Sequence, residues 1–215
     1  MRTRIGTVCC GILLVWFCSL VQAEPVSKIL LLGDSLGASY GVPQDKGWAV
    51  LLNQKFQQEK RNLQLVNASI SGDTTAGGLA RLEPLLQQVK PRWVMIELGG
   101  NDGLRGLNLQ AMQKNLIAMI SLVRRYHAQP LLIGIMIPPN YGTRYRDLFD
   151  QVYVNVSQSQ QVPLLPFLLQ GVGGVDQLMQ ADRIHPNTRA QPLIVQTVWK
   201  FLAPVLSASQ AQNRN

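Results

Sequence analysis

Short, nearly unbroken apolar runs alternate along this chain with segments in which apolar residues recur every three or four positions. The runs at 27–32, 63–66, 93–98, 131–137 and 162–165 read as buried strands, each followed by Gly, Asn or Pro. Between them, Trp48, Leu51, Leu52 and Phe56 fall on one helical face. Leu109, Met112, Leu116, Ile120 and Val123 mark a longer amphipathic helix. Residues 79–89 also read as helical, with Pro84 suited to the first turn of a second segment, and 144–160 and 187–203 supply two more helices. This alternation predicts βαβ units: an α/β fold with a parallel sheet covered by helices on both faces. In such sheets, sites form in the loops beyond the carboxyl ends of the strands. The polar stretch 207–215 is expected to fray.

Composition narrows the class. With 47% apolar and 15% charged residues over 215 positions, the chain is too apolar for a disordered segment and long enough for one domain with its own core. All three Cys lie in the first 18 residues, and their setting decides how they are read. Arg2 and Arg4 precede an apolar stretch that closes on Val21-Gln22-Ala23, the layout of a secretory leader cleaved after Ala23. A membrane anchor, the alternative, would call for a flanking charge cluster. Three segments are therefore expected: a leader at 1–23, a single domain at 24–206 and the tail at 207–215. The mature protein would have no Cys, which excludes a disulfide framework, a zinc–thiolate site and a Cys nucleophile. Its 18 Lys and Arg against 12 Asp and Glu leave a modest, scattered positive charge. That balance favours transient contact with anionic membrane lipid, but no dense basic run points to nucleic acid. With two His in all, no metal site or cofactor is expected, and a monomer is.

Polar residues converge on the strand ends. Gly33-Asp34-Ser35-Leu36-Gly37 follows the first strand, Ser71-Gly72-Asp73-Thr74 the second, and Gly99-Gly100-Asn101-Asp102-Gly103 the third. Ser35 is expected at the start of a helix, with its hydroxyl exposed and its N–H unpaired. A serine needs a base to become a nucleophile. His185 lies three residues after Asp182, so one turn can carry both an imidazole and the carboxylate that orients it. His127, at the end of the long helix, reads as surface. Candidate oxyanion donors are the N–H of Ser35, the N–H of Gly72 and the side-chain amide of Asn101. Asp34, Asp73 and Asp102 read as acceptors that lock loops. The match of residues 33–37 to G-x-S-x-G is accidental, because an α/β-hydrolase elbow follows several strands and this serine follows the first.

These blocks together resemble the SGNH (GDSL) hydrolases, with Ser35, Gly72, Asn101 and His185 at the name-giving positions. Residues 67–74, 91–94, 97–106 and 162–167 resemble the periplasmic multifunctional thioesterase/lysophospholipase branch of that family in Gram-negative bacteria. The resemblance covers nearly all of 28–203. It implies a flavodoxin-like three-layer α/β/α sandwich with a five-stranded parallel sheet, and activity on long-chain acyl thioesters, lysophospholipids and aryl esters. The chain departs from that pattern at Val172-Gly173-Gly174-Val175, where relatives carry bulkier residues. The expected function is an exported serine hydrolase using Ser35, His185 and Asp182. Leu104, Leu107, Ile137, Pro138 and Tyr141 are the candidate lining of an acyl trough; Trp48 is a weaker one, since it fits the buried face of its helix. Two rivals are a carbohydrate-ester deacetylase on the same fold and a periplasmic lipid-binding protein without turnover.

Overall fold

The structure, a computed structural model, describes residues 26–212, so the expected leader at 1–23 lies outside the described residues. Five parallel strands, β1 (Ser27–Gly33), β2 (Leu63–Asn67), β3 (Trp93–Glu97), β4 (Gln129–Ile133) and β5 (Leu164–Leu165), form one sheet in the order β2-β1-β3-β4-β5. The strand order reverses between β1 and β3, which pair from Ile29↔Trp93 to Gly33↔Glu97. Loops leaving these two strands in opposite directions open a crevice at their carboxyl ends.

The helices sort onto two faces by the two-residue period of the strands. Ile29, Leu31, Trp93, Met95, Leu131 and Ile133 point to a core shared with α1 (Trp48–Gln58) and α6 (Gln191–Gln212). The alternate residues Leu30, Leu32, Val94, Ile96 and Leu132 point to a second core. That core is completed by α2 (Thr75–Val89), α4 (Leu109–Arg125) and α5 (Thr143–Gln160). Both faces are dry, hence the near-continuous apolar strands. A short α3 (Gly100–Leu104) follows β3.

Several boundaries differ from the sequence expectation, for physical reasons. Helix α2 is continuous through Pro84 and starts at Thr75, because the Thr74 hydroxyl caps it by accepting the Gly77 N–H. Helix α6 likewise passes through Pro204 to Gln212, beyond the expected stop at 203 and into the polar stretch 207–215. Both prolines, and the residues four positions before them, Ala80 and Lys200, are exposed, so solvent satisfies the carbonyl each proline leaves unpaired. Strand β4 stops at Ile133, short of 137. Gly134 donates its N–H to the Leu165 carbonyl, accepts from the Leu168 N–H, and lies so close to the Pro166 carbonyl that a Cβ would collide with it. The chain from Ile135 to Ile137 then swings out into the crevice. Residues after Ser35 form successive turns rather than the helix expected there, whereas α1 begins at Trp48, where its apolar face predicts it.

Candidate active site

The turn after β1 is shaped by carboxylates. Asp34 Oδ1 accepts the Leu36 N–H at 3.0 Å, and Glu97 Oε2 accepts the N–H groups of Asp34 at 3.2 Å and Gly37 at 3.0 Å. The Ser35 N–H, between them, has no acceptor within the described residues. The opposing loop is held by the antiparallel bridge Met179↔Pro186 and by the Gln180 N–H on the His185 carbonyl at 2.8 Å. Arg183 takes a left-handed conformation (φ 57°), which folds Asp182 back onto His185.

These loops bring Ser35, His185 and Asp182 together. His185 Nε2 lies 2.8 Å from Ser35 Oγ, and His185 Nδ1 lies 2.7 Å from Asp182 Oδ2. Facing a carboxylate, Nδ1 carries the proton, so Nε2 is free to accept the serine hydroxyl. The other Asp182 oxygen accepts the N–H groups of Ile184 at 2.9 Å and His185 at 3.0 Å. Partial burial pushes the Asp182 pKa up, but the bonds from the His185 side chain and from the backbone of His185 and Ile184 outweigh it and hold it at about 2. The Tyr40 ring leans on the imidazole, with centroids 4.8 Å apart. Such a relay can take a proton from Ser35 and return it to a leaving group.

The candidate oxyanion donors are each braced from behind. Asn101 donates one amide hydrogen of Nδ2 to Asp34 Oδ2 at 3.1 Å, leaving the other for a ligand. Gly72 adopts φ 81°, its carbonyl accepts from Arg105 Nη2 at 2.8 Å, and its own N–H has no acceptor within the described residues. Burial pushes the Asp34 pKa up to about 6 against the bonds from Leu36 and Asn101 and the nearby imidazole. Asp73 binds Arg81 at 2.7 Å, and Asp102 receives the Thr75 N–H at 2.9 Å and hydroxyl at 2.6 Å, so these acids lock loops.

Ser35, Asn101, Asp182 and His185 open into a cleft of about 840 Å³. Leu104, Ile137, Pro138 and Tyr141 line it, whereas Leu107 stands outside the lining and is exposed. Gly72 is also outside the lining, on the neighbouring β2 loop. Trp48 is fully buried, with its indole N–H on the Leu36 carbonyl, so it belongs to the core beneath the turn. The sequence reading missed Ile135, Phe167, Leu169 and Met179, which also line the cleft. Phe167 and Leu169 follow the carboxyl end of β5, and applying the strand-end rule to that last strand would have found them. Gly173 and Gly174 contribute to the same wall, and a Cβ on Gly173 would sit 2.8 Å from the Phe167 ring. Among the described residues no group of three or more His, Cys, Asp or Glu converges as a metal site.

Comparison with known proteins gives the family. The model of the GDSL-like Lipase/Acylhydrolase family matches residues 31–191. The chain is 46% identical to Esterase TesA of Pseudomonas aeruginosa, over 96% of this chain and all of that one. It is 45% identical to Thioesterase 1/protease 1/lysophospholipase L1 of Escherichia coli K12, over 86% of this chain and 88% of that one. Among solved structures, the psychrotrophic esterase EstA from Pseudoalteromonas sp., inhibited by monoethylphosphonate, superposes with a TM-score of 0.81 at 42% identity. The match covers 84% of this chain and 99% of that one. An ester and thioester hydrolase by these relationships, the chain belongs to the GDSL-like lipase/acylhydrolase family.

Proposed function

We propose that the protein is an exported serine hydrolase that cleaves long-chain acyl esters and thioesters through an acyl-enzyme. The observation that carries this reading is the Ser35–His185–Asp182 relay, with contacts of 2.8 and 2.7 Å, opening into an apolar cleft. His185 Nε2 takes the Ser35 proton as Oγ attacks the acyl carbonyl. Asp182 stabilises the imidazolium, and the Ser35 N–H, the Gly72 N–H and the Asn101 amide hold the oxyanion. The imidazolium proton then passes to the leaving alcohol or thiol. A water, deprotonated by the same imidazole, releases the fatty acid and regenerates Ser35. The activities for which the relatives are named, esterase and thioesterase/lysophospholipase, support this substrate range. The leader-like sequence of residues 1–23 supports export, which would set the enzyme among envelope lipid esters rather than cytoplasmic acyl-CoA.

The cleft sets the substrate preference. Leu104, Ile137, Pro138, Tyr141, Phe167 and Leu169 offer apolar walls to an acyl chain. Each methylene buried there contributes up to about 0.8 kcal/mol, while an acetyl group gains almost nothing. For p-nitrophenyl esters from acetate to palmitate, kcat/KM is therefore expected to climb by up to about 4-fold per methylene until the cleft fills. A flat series, or one falling steadily from acetate, would reject the long-acyl reading in favour of a carbohydrate-ester deacetylase. A protein that bound fatty acid but turned over no ester would instead be the lipid carrier.

A further inference from the structure

Glu97 is the last residue of β3 and is completely buried, yet the chemistry assigned to Ser35, His185 and Asp182 does not use it. Its Oε2 accepts the N–H groups of Asp34 and Gly37, which bracket the nucleophile in the loop after β1. Its own strand leads, four residues later, to Asn101. One carboxyl group thus bridges the switch point, from the loop that presents Ser35 to the strand that delivers the Asn101 amide. The arrangement also accounts for the free donor at the centre of the turn. Carboxylate oxygens occupy the N–H groups of residues 34, 36 and 37, and only that of Ser35 is left for an oxyanion.

The surroundings favour an uncharged group. Glu97 Oε1 and Ser69 Oγ are buried without hydrogen-bond partners, and it is Glu97 Oε2 and Ser69 Oγ that occupy the space side chains on Gly33 and Gly37 would fill. Burial, then the neighbouring Asp34 carboxylate, push the Glu97 pKa well above the ordinary carboxylate range. A neutral acid still accepts both amide hydrogens, and it adds no negative charge beneath a site where an oxyanion must form.

We propose that Glu97 is a positioning residue for hydrolysis: it locks the Ser35 turn onto the end of β3 and so fixes the Ser35 N–H relative to the Asn101 amide. The proposal rests on the Ser35 nucleophile assigned above. The test is kcat per active site, titrated with a phosphonate ester, for p-nitrophenyl butyrate hydrolysis by Glu97→Ala, Glu97→Asp and Glu97→Gln. Alanine removes both acceptor contacts, and aspartate is one methylene too short to reach both amides. Each should lower kcat per titrated site by about 10- to 100-fold with little change in KM, the scale of a donor displaced by about an ångström. Glutamine keeps the neutral acceptor and should restore most of the wild-type kcat. A merely structural residue would lower Tm and the titratable fraction but leave kcat per titrated site unchanged, and that result would overturn the proposal. So would a glutamine variant as slow as alanine. If the alanine variant does not fold, the aspartate and glutamine variants decide by the same criteria. A wild-type enzyme that the phosphonate fails to label at Ser35 would overturn the nucleophile assignment instead.

Discussion

Three acids around Ser35 are set to different tasks by their surroundings. Asp182, held at about 2 by the bonds it accepts, stays ionised wherever the imidazole can act as a base. Its pKa is depressed in the fold, so the stability it contributes is present above its ordinary value of 3.8 and is lost as pH falls toward 2. Asp34 has the opposite sign. Its folded pKa of about 6 lies above 3.8, so it favours the fold at low pH and this contribution is lost as pH rises through about 6. Urea titrations of wild type and Asp34→Asn should therefore show the variant gaining on wild type between pH 4 and pH 7. The same substitution turns an amide N–H toward Asn101 Nδ2, so kcat should fall while KM holds. Asn101→Ala itself should lower kcat by about 10²–10³, the scale of losing one oxyanion donor, with little change in KM. A rise in KM alone would make Asn101 a substrate-binding group. Ser35, Asp182 and His185 were readable in the sequence because short spacings and strand-end loops bring them to one edge. Glu97 was not, because it hides inside an apolar run and only the Gly33↔Glu97 pairing places it under the turn. The signal available was a charged residue in a strand expected to be buried on both faces, where it must find partners.

At the level of elements, apolar periodicity located every strand and all the long helices, and the misplaced boundaries share a cause. Pro84 was read as opening a second segment and the last helix was ended at 203, just before Pro204, but a proline on a solvent-facing helix surface costs one bond that water replaces. The end of β4 was set too late because residues 135–137 are as apolar as the strand before them. They face a cleft instead of a neighbouring strand, which local sequence does not encode. The short α3 escaped notice among its glycines, yet it carries Asn101 and Asp102. Buried Asp102 ties α3 to the N-terminus of α2 through the Thr75 N–H and hydroxyl, and Asn115 completes the cluster by donating to that hydroxyl at 3.0 Å. Asp102→Ala leaves these donors unpaired and removes a charge favoured at a helix start. Unfolding stability should drop by about 3 kcal/mol in urea denaturation. A loss below about 0.5 kcal/mol, the range of surface substitutions, would show that the link contributes little.

Over the whole molecule, the order β2-β1-β3-β4-β5 brings residues 150 positions apart into hydrogen-bond contact, Ser35 from the first loop and His185 from the last. The two cores hold the strands, and the loops at one edge bring Ser35, His185, Asp182 and the Asn101 amide together beside an apolar cleft. Such an arrangement suits acyl transfer, where the reacting groups must stand ready before the substrate arrives. The central claim is that Ser35 becomes the acylated residue. Its most direct test is intact mass and peptide mapping after treatment with a fluorophosphonate, set beside ester turnover by Ser35→Ala. One adduct per chain, mapped to Ser35, with no turnover and no adduct in a folded Ser35→Ala protein, is the predicted result. An adduct on any other residue, or a Ser35→Ala protein that still hydrolyses esters, would contradict it.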